Sequence, residues 1–111
     1  MAKSMTAIEH CPMELGLNIL SGKWTLKILW NLSKRAIRFN ELQRLLGSVT
    51  TKTLSQQLKA LETQGIVTRT VFPEIPPRVE YSLSELGTTI QPVLKALCNW
   101  GTNYKNEIDR Q

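Results

Sequence analysis

Between residues 39 and 83 the apolar side chains change their spacing once, and this change constrains the fold more than any other feature of the chain. "FNELQRLLG" sets Phe39, Leu42, Leu45 and Leu46 at helical spacing, and Gly47 ends the run. "SVT" supplies a tight connection, after which "TTKTLSQQLKALETQG" carries Leu54, Leu58 and Leu61 down one side of a second helix. Thr50 is suited to cap that helix, and Gly65 to terminate it in left-handed geometry. Beyond Gly65 the period falls from 3.6 to 2. "IVTRTVF" and "RVEYSL" are alternating, β-branched and aromatic-rich runs, the second with Val79, Tyr81 and Leu83 on one face. They are predicted to pair as a hairpin. Their connector, "PEIPP", holds three prolines in five residues, which excludes a two-residue turn and stiffens a protruding loop.

The flanks are helical. Pro12 to Leu20 forms a short predicted helix with Pro12 at its first position, Glu14 near the positive end of its dipole and Gly22 at its stop. "KWTLKILWNLSK" puts Trp24, Ile28 and Leu32 on one stripe with Leu26, Leu29 and Trp30 beside it, and reads as a largely buried central helix. "AIRF" has room only for a small strand. Ser84 is suited to cap a last helix running towards Ile108, with Ile90, Leu94, Leu97, Tyr104 and Ile108 on one side and a kink expected at Pro92. Trp24, Trp30 and Trp100 each lie within an apolar stripe and are expected to act as packing anchors.

The two closely joined helices make a helix-turn-helix pattern, and helix, helix, turn, helix, then a stiff hairpin is the winged helix-turn-helix order. The outward face of the second motif helix fits that order. It carries Thr51, Lys52, Ser55, Gln56 and Lys59, with no carboxylate until Glu62. Hydroxyls and amides bond base edges, lysines meet guanine or phosphate, and a carboxylate there would repel the DNA backbone. Charge is segregated in the same sense. The chain has a net charge of +5, but Leu15 to Leu61 holds Lys23, Lys27, Lys34, Arg35, Arg38, Arg44, Lys52 and Lys59 against the single acid Glu41, a net +7, and the remainder sums to −2. A one-sided positive field attracts an anionic partner.

With these motifs on the page, the sequence resembles the HxlR-type winged helix-turn-helix transcriptional regulators of bacteria. The resemblance covers nearly the full length. It runs from "CPMELGLNILSGKWTLKILWNL" through "RFNELQRLLGSVTTKTLSQQLKALETQGIVTRTVFPEIPPRVEYSLSELG" to "PVLKALCNWG". It implies a dimeric DNA-binding repressor or activator, with double-stranded DNA and a second copy as partners and the first and last helices forming the dimer interface. It further implies base and phosphate contacts at Lys52, Ser55 and Gln56 and a wing contact at Arg78. For Arg78 the alternative is an ion pair on the Glu80 side of the hairpin or with Glu74. For Lys23 the alternatives are a phosphate contact and a stem that covers Trp24. Arg38, Thr51 and Lys59 complete the candidate DNA-binding set.

The expectation is therefore a single domain over residues 1–111 with an N-terminal arm of about residues 1–11. The fold is expected to be mainly α with a small β-hairpin wing, dimerising through its first and last helices. Its function is expected to be that of a sequence-specific regulator, bound as a homodimer to an inverted repeat. The alternative is a winged-helix protein-interaction module, whose exposed helix face would carry apolar residues instead. Single-stranded RNA binding would call for exposed stacking aromatics, and most of the seven here fit core positions.

No Ser-His-Asp set, P-loop or dinucleotide fingerprint is present, so neither an enzyme nor a bound cofactor is expected. His10 beside Cys11 cannot complete a metal's ligand shell. "MAKSMTAIEHCPMELG" lacks an apolar stretch before a small-residue cleavage site, and no run approaches a membrane span, so a cytoplasmic location is expected. Cys11, preceding Pro12 at a helix start where the dipole favours a thiolate, is the candidate redox or electrophile sensor; members of the resembled family use a cysteine at this place as a switch. Cys98, within the last helix's apolar stripe, is expected to be buried and inert.

Overall fold

The computed structural model describes residues 12–111. Five α-helices and three short strands follow in the order α1 (Pro12–Leu20), α2 (Thr25–Leu32), β1 (Ile37–Arg38), α3 (Phe39–Leu46), α4 (Thr51–Thr63), β2 (Val67–Phe72), β3 (Arg78–Leu83) and α5 (Gln91–Asp109). The central position expected for α2 holds: Trp24, Ile28, Leu29 and Leu32 are buried, and they join Ile37, Leu42, Val49, Leu54, Leu58, Leu61, Val67 and Leu94 in one core. Leu20 of α1 and Tyr81 and Leu83 of β3 are partly buried against that core. The Leu54, Leu58 and Leu61 stripe is 2% exposed or less. Removing that area from water is the main force holding α4 against α2 and the sheet. Thr25, the one buried polar residue among those described, donates its hydroxyl to Gln57 Oε1 at 3.2 Å and so ties α2 to α4.

The turn chemistry is as the sequence indicated. Gly47 closes α3 at φ 91°, and Thr50 caps α4 by accepting the Thr53 N–H at 3.1 Å. At the far end of α4, Gly65 at φ 80° donates to Glu62 O and Ile66 donates to Leu61 O, the paired bonds of a Schellman motif.

The hairpin is present, with Val67 opposite Leu83 and Phe72 opposite Arg78, and residues 73–77 protrude between the strands. The small strand does more than expected. β1 pairs antiparallel with β3 through Ile37–Tyr81 and Arg38–Glu80, which makes β3 the centre of a three-stranded sheet in the order β1-β3-β2. The wing is thereby anchored to the start of α3.

The last helix departs from expectation in three ways. Ser84 does cap, accepting the Gly87 N–H at 2.9 Å, but what it caps is a 3₁₀ turn, Gly87–Ile90, and α5 proper begins only at Gln91. Pro92 therefore sits in the first turn of α5, where its missing N–H would have no partner anyway, and it produces no kink. Gly87 lies against the Ile66 backbone so closely that a Cβ would come within 2.0 Å of the Ile66 carbonyl oxygen. Of the three tryptophans only Trp24 is a packing anchor within the chain. Trp30 and Trp100 are exposed, because no described residue covers their stripes. Cys98 is likewise exposed, on the rim of a cleft between α2, α3 and α5, and its expected burial is corrected.

Candidate nucleic-acid interface

α4 is set at its angle by contacts at both ends. On its entry side, Gln43 of α3 donates one amide group to Val49 O at 3.1 Å and to Thr51 Oγ1 at 3.2 Å, bracing the turn between the two helices. Gln43 was not singled out in the sequence, because an amide on the polar side of a helix carries no mark of the turn it will brace. With Leu54, Leu58 and Leu61 directed inward, the helical period forces Thr51, Lys52, Ser55, Gln56 and Lys59 outward, and all five are exposed. The five residues predicted for this face thus share one solvent-facing surface.

The cations of the +7 segment divide into two sets. Lys23 and Lys27 each place Nζ 5.2 Å from the centre of the Trp24 ring, and Lys34 lies 4.7 Å from that of Trp30. Lys23 therefore does cover Trp24, as one of its two alternatives required. Arg35 donates to both carboxylate oxygens of Glu41. This hydrogen bond holds the Glu41 carboxyl below its ordinary value of 4.5, with the charges of Arg35, Arg44 and Arg38 acting in the same sense. The only acid of the segment is thus neutralised in place. Arg38, Arg44, Lys52 and Lys59 make no ion pair with any described residue. Arg38 is exposed at the start of α3, and together with Arg44 it lines a cleft of 790 Å³ between α3 and the wing loop.

Arg78 is placed differently from the others. Its guanidinium lies 3.2 Å from Glu74 and 3.5 Å from Glu80, with its central carbon 4.0 Å from the centre of the Phe72 ring. Both of the ion pairs weighed as alternatives for this residue are formed, and Arg78 props the base of the wing loop. The loop's tip is Ile75, fully exposed. Cys11 lies outside the described residues.

The outer faces of α1 and α5 have another character. Leu15 and Leu17 of α1 and Val93, Leu97, Trp100, Tyr104 and Ile108 of α5 are all exposed, and Trp100 stacks on Tyr104 with ring centres 5.3 Å apart. Among the described residues of the 19-residue α5, only Leu94 is buried.

Two helices joined by a braced four-residue turn, the second with a polar and cationic outer face, beside an antiparallel wing, define a winged helix-turn-helix DNA-binding domain. Comparison with known proteins agrees. The HxlR-like helix-turn-helix family model matches residues 19–109. The chain is 42% identical over 102 residues to the HTH-type transcriptional regulator YdeP of Bacillus subtilis (strain 168), covering 92% of this chain and 80% of YdeP. It is also 42% identical over 94 residues to an HTH-type transcriptional regulator of Methanothermobacter thermautotrophicus (strain Delta H), covering 85% of this chain and 72% of the relative. Among solved structures, the redox regulator HypR in its reduced form matches with a TM-score of 0.83 at 36% identity, over 90% of this chain and 99% of that one. The chain belongs to the HxlR-like helix-turn-helix family. It is a DNA-binding transcriptional regulator and not an enzyme, and no described helix is long and apolar enough to cross a membrane.

Proposed function

We propose that this regulator acts as a homodimer that reads an inverted repeat in double-stranded DNA, with one α4 in the major groove of each half-site. The observation that carries the reading is the pair of unlike faces: an exposed hydroxyl, amide and cation face on α4, and an exposed apolar face on α1 and α5. On α4, Gln56, Ser55 and Thr51 are assigned to base edges, and Lys52 and Lys59 to the flanking phosphates. Arg38 and Lys23 add positive charge at the ends of the motif. Arg78, already compensated by Glu74 and Glu80, is assigned to shaping the wing, and a DNA contact from it would require giving up one carboxylate. A protein-interaction module is disfavoured because the outer face of α4 lacks apolar side chains.

Selection of bound duplexes from a random pool tests the proposal. The expected product is an inverted repeat whose half-sites are centred about 34–36 Å apart, or a multiple of that. Enrichment of single half-sites, with a monomer in sedimentation at micromolar concentration, overturns it.

A second element rests on a separate observation, the match to a protein described as a redox regulator. Cys11 is assigned as a thiol whose oxidation or alkylation alters DNA binding by shifting α1 at the dimer interface. In the sequence Cys11 immediately precedes Pro12, the first residue of α1, a position where a helix dipole favours a thiolate and where the nearby Glu9 and Glu14 oppose it. Titrating DNA binding with diamide distinguishes the outcomes. Sensitivity is expected to disappear in Cys11→Ser and persist in Cys98→Ser; unchanged sensitivity in Cys11→Ser ends the assignment.

A further inference from the structure

Winged helices place their recognition helix so that one DNA backbone bordering the major groove passes between that helix and the wing. In this chain the wing's conspicuous arginine is engaged elsewhere, since Arg78 is held by Glu74 and Glu80. A different arginine of the sheet stands beside α4. Arg69 follows Val67 on the same face of β2, so the strand period carries its side chain just past the edge of the core and towards α4. There it lines a polar recess of 310 Å³ together with Ser55, Lys59 and Glu62 of α4 and Tyr81 of β3. Ser55, Lys59 and Glu62 are spaced four and three residues apart and form one stripe on the helix. Tyr81 is the residue directly opposite Arg69 across the sheet, and on its other side it pairs with Ile37 of β1. Arg69 and Lys59 are both exposed and neither makes an ion pair, with Glu62 or with any other described residue.

We propose that this recess is a seat for one phosphodiester of the DNA backbone, with Arg69 as its principal ligand and Lys59, the Ser55 hydroxyl and the Tyr81 hydroxyl as supporting donors. The planar fork of a guanidinium fits two phosphate oxygens at once, and hydroxyl donors complete the set. The two cations and Glu62 leave a net charge of +1, which matches the single negative charge of a diester. Because the seat joins α4 to the sheet, it fixes how deeply the carboxyl-terminal half of α4 lies along the groove and carries no base preference of its own. The proposal rests on the reading of α4 as the recognition helix and adds a residue that the periodicity of β2 alone does not mark.

The test is a salt titration of duplex binding by the full chain, comparing wild type, Arg69→Gln, Arg69→Lys and Lys52→Ala on a selected duplex and on random DNA. Arg69→Gln is expected to weaken both duplexes by the same factor and to lower the slope of log K against log salt by about 0.9 per protomer. Arg69→Lys is expected to keep the wild-type slope. Melting curves matching wild type establish that the variants are folded, and Arg69→Ala, in which a seat also requires the slope to fall, carries the comparison if Arg69→Gln melts early. A wild-type slope in folded Arg69→Gln, beside a lowered slope in Lys52→Ala, overturns the seat and leaves α4 as the recognition helix. Wild-type slopes in both overturn the seat and the α4 assignment together.

Discussion

α4 and α5 are both amphipathic helices, yet they bury opposite proportions of themselves. The 13 residues of α4 put three leucines into the core and face solvent with hydroxyls, amides and lysines, whereas the 19 residues of α5 bury Leu94 and face solvent with Leu97, Trp100, Tyr104 and Ile108. A surface helix ordinarily hides its apolar stripe and exposes its polar one. α4 obeys that rule and α5 breaks it. The difference leaves the two helices with outer faces suited to unlike surroundings. The outer face of α4 is complete without apolar cover and suits a hydrated polyanion, while that of α5 leaves a contiguous apolar surface of the kind that marks association between proteins.

The largest effect expected from this contrast is on α5. Trp100→Asp places a charge in the apolar face without touching the core, and is expected to yield a folded monomer in sedimentation. Its affinity for an inverted repeat is expected to drop by roughly 10²–10⁴ through loss of bivalent binding, with half-site affinity little changed. A dimer with wild-type binding would erase the distinction between the two helices.

Next in size is a change on the buried side of α4. Leu58→Ala is expected to lower unfolding stability by about 2–5 kcal/mol in denaturant titration, since Leu58 is 1% exposed and the site has little freedom to collapse. Leu97→Ala, measured under conditions where the chain is monomeric, is expected to cost far less. Similar losses for the two leucines would show that α5 is covered within the chain.

On the outer face of α4 the expected effects are smaller and divide by chemistry. Gln56→Ala should reduce discrimination between the selected repeat and variant sites by about 1–3 kcal/mol. Ser55→Ala should act in the same direction, and Lys52→Ala should weaken all duplexes alike. Equal losses for Gln56→Ala on selected and random DNA would remove it from the specificity set.

The smallest effect concerns Glu41. Its folded-state pKa is lowered by the hydrogen bond from Arg35, so whatever stability the pair contributes is present above the ordinary value of 4.5 and is lost as pH falls through the lowered pKa. The pair is solvent-exposed, and the melting temperatures of wild type and Glu41→Gln are expected to differ little at neutral pH and to converge in acid. Because Glu41 lies near Arg38 and Arg44, Glu41→Gln should also tighten DNA binding slightly at low salt. A widening difference in acid would contradict the assigned direction.

Apart from the start of α5, helix limits, caps and faces were determined by the sequence itself, because they depend on residues three or four positions apart. The polar face from Thr51 to Lys59 follows from the three leucines opposite it, Thr50 reaches only to Thr53, and Gly47 and Gly65 stop helices by their own backbone freedom. The switch to period 2 after Gly65 marks the hairpin for the same reason. What tertiary structure alone decided lies between segments distant in sequence. Strand β1, at residues 37 and 38, finds β3, at residues 78 to 83, and the pairing makes β3 the central strand. The charge of Arg78 is compensated by Glu74 and Glu80, leaving Arg69 as the hairpin arginine without an ion pair among the described residues. The exposure of Trp30, Cys98 and Trp100 belongs to the same class: an apolar stripe in sequence states that a face will be covered, and only the packed chain shows whether its own segments reach far enough to cover it. Local periodicity is written in neighbouring residues, whereas partner choice among remote groups is settled by the geometry that brings them together.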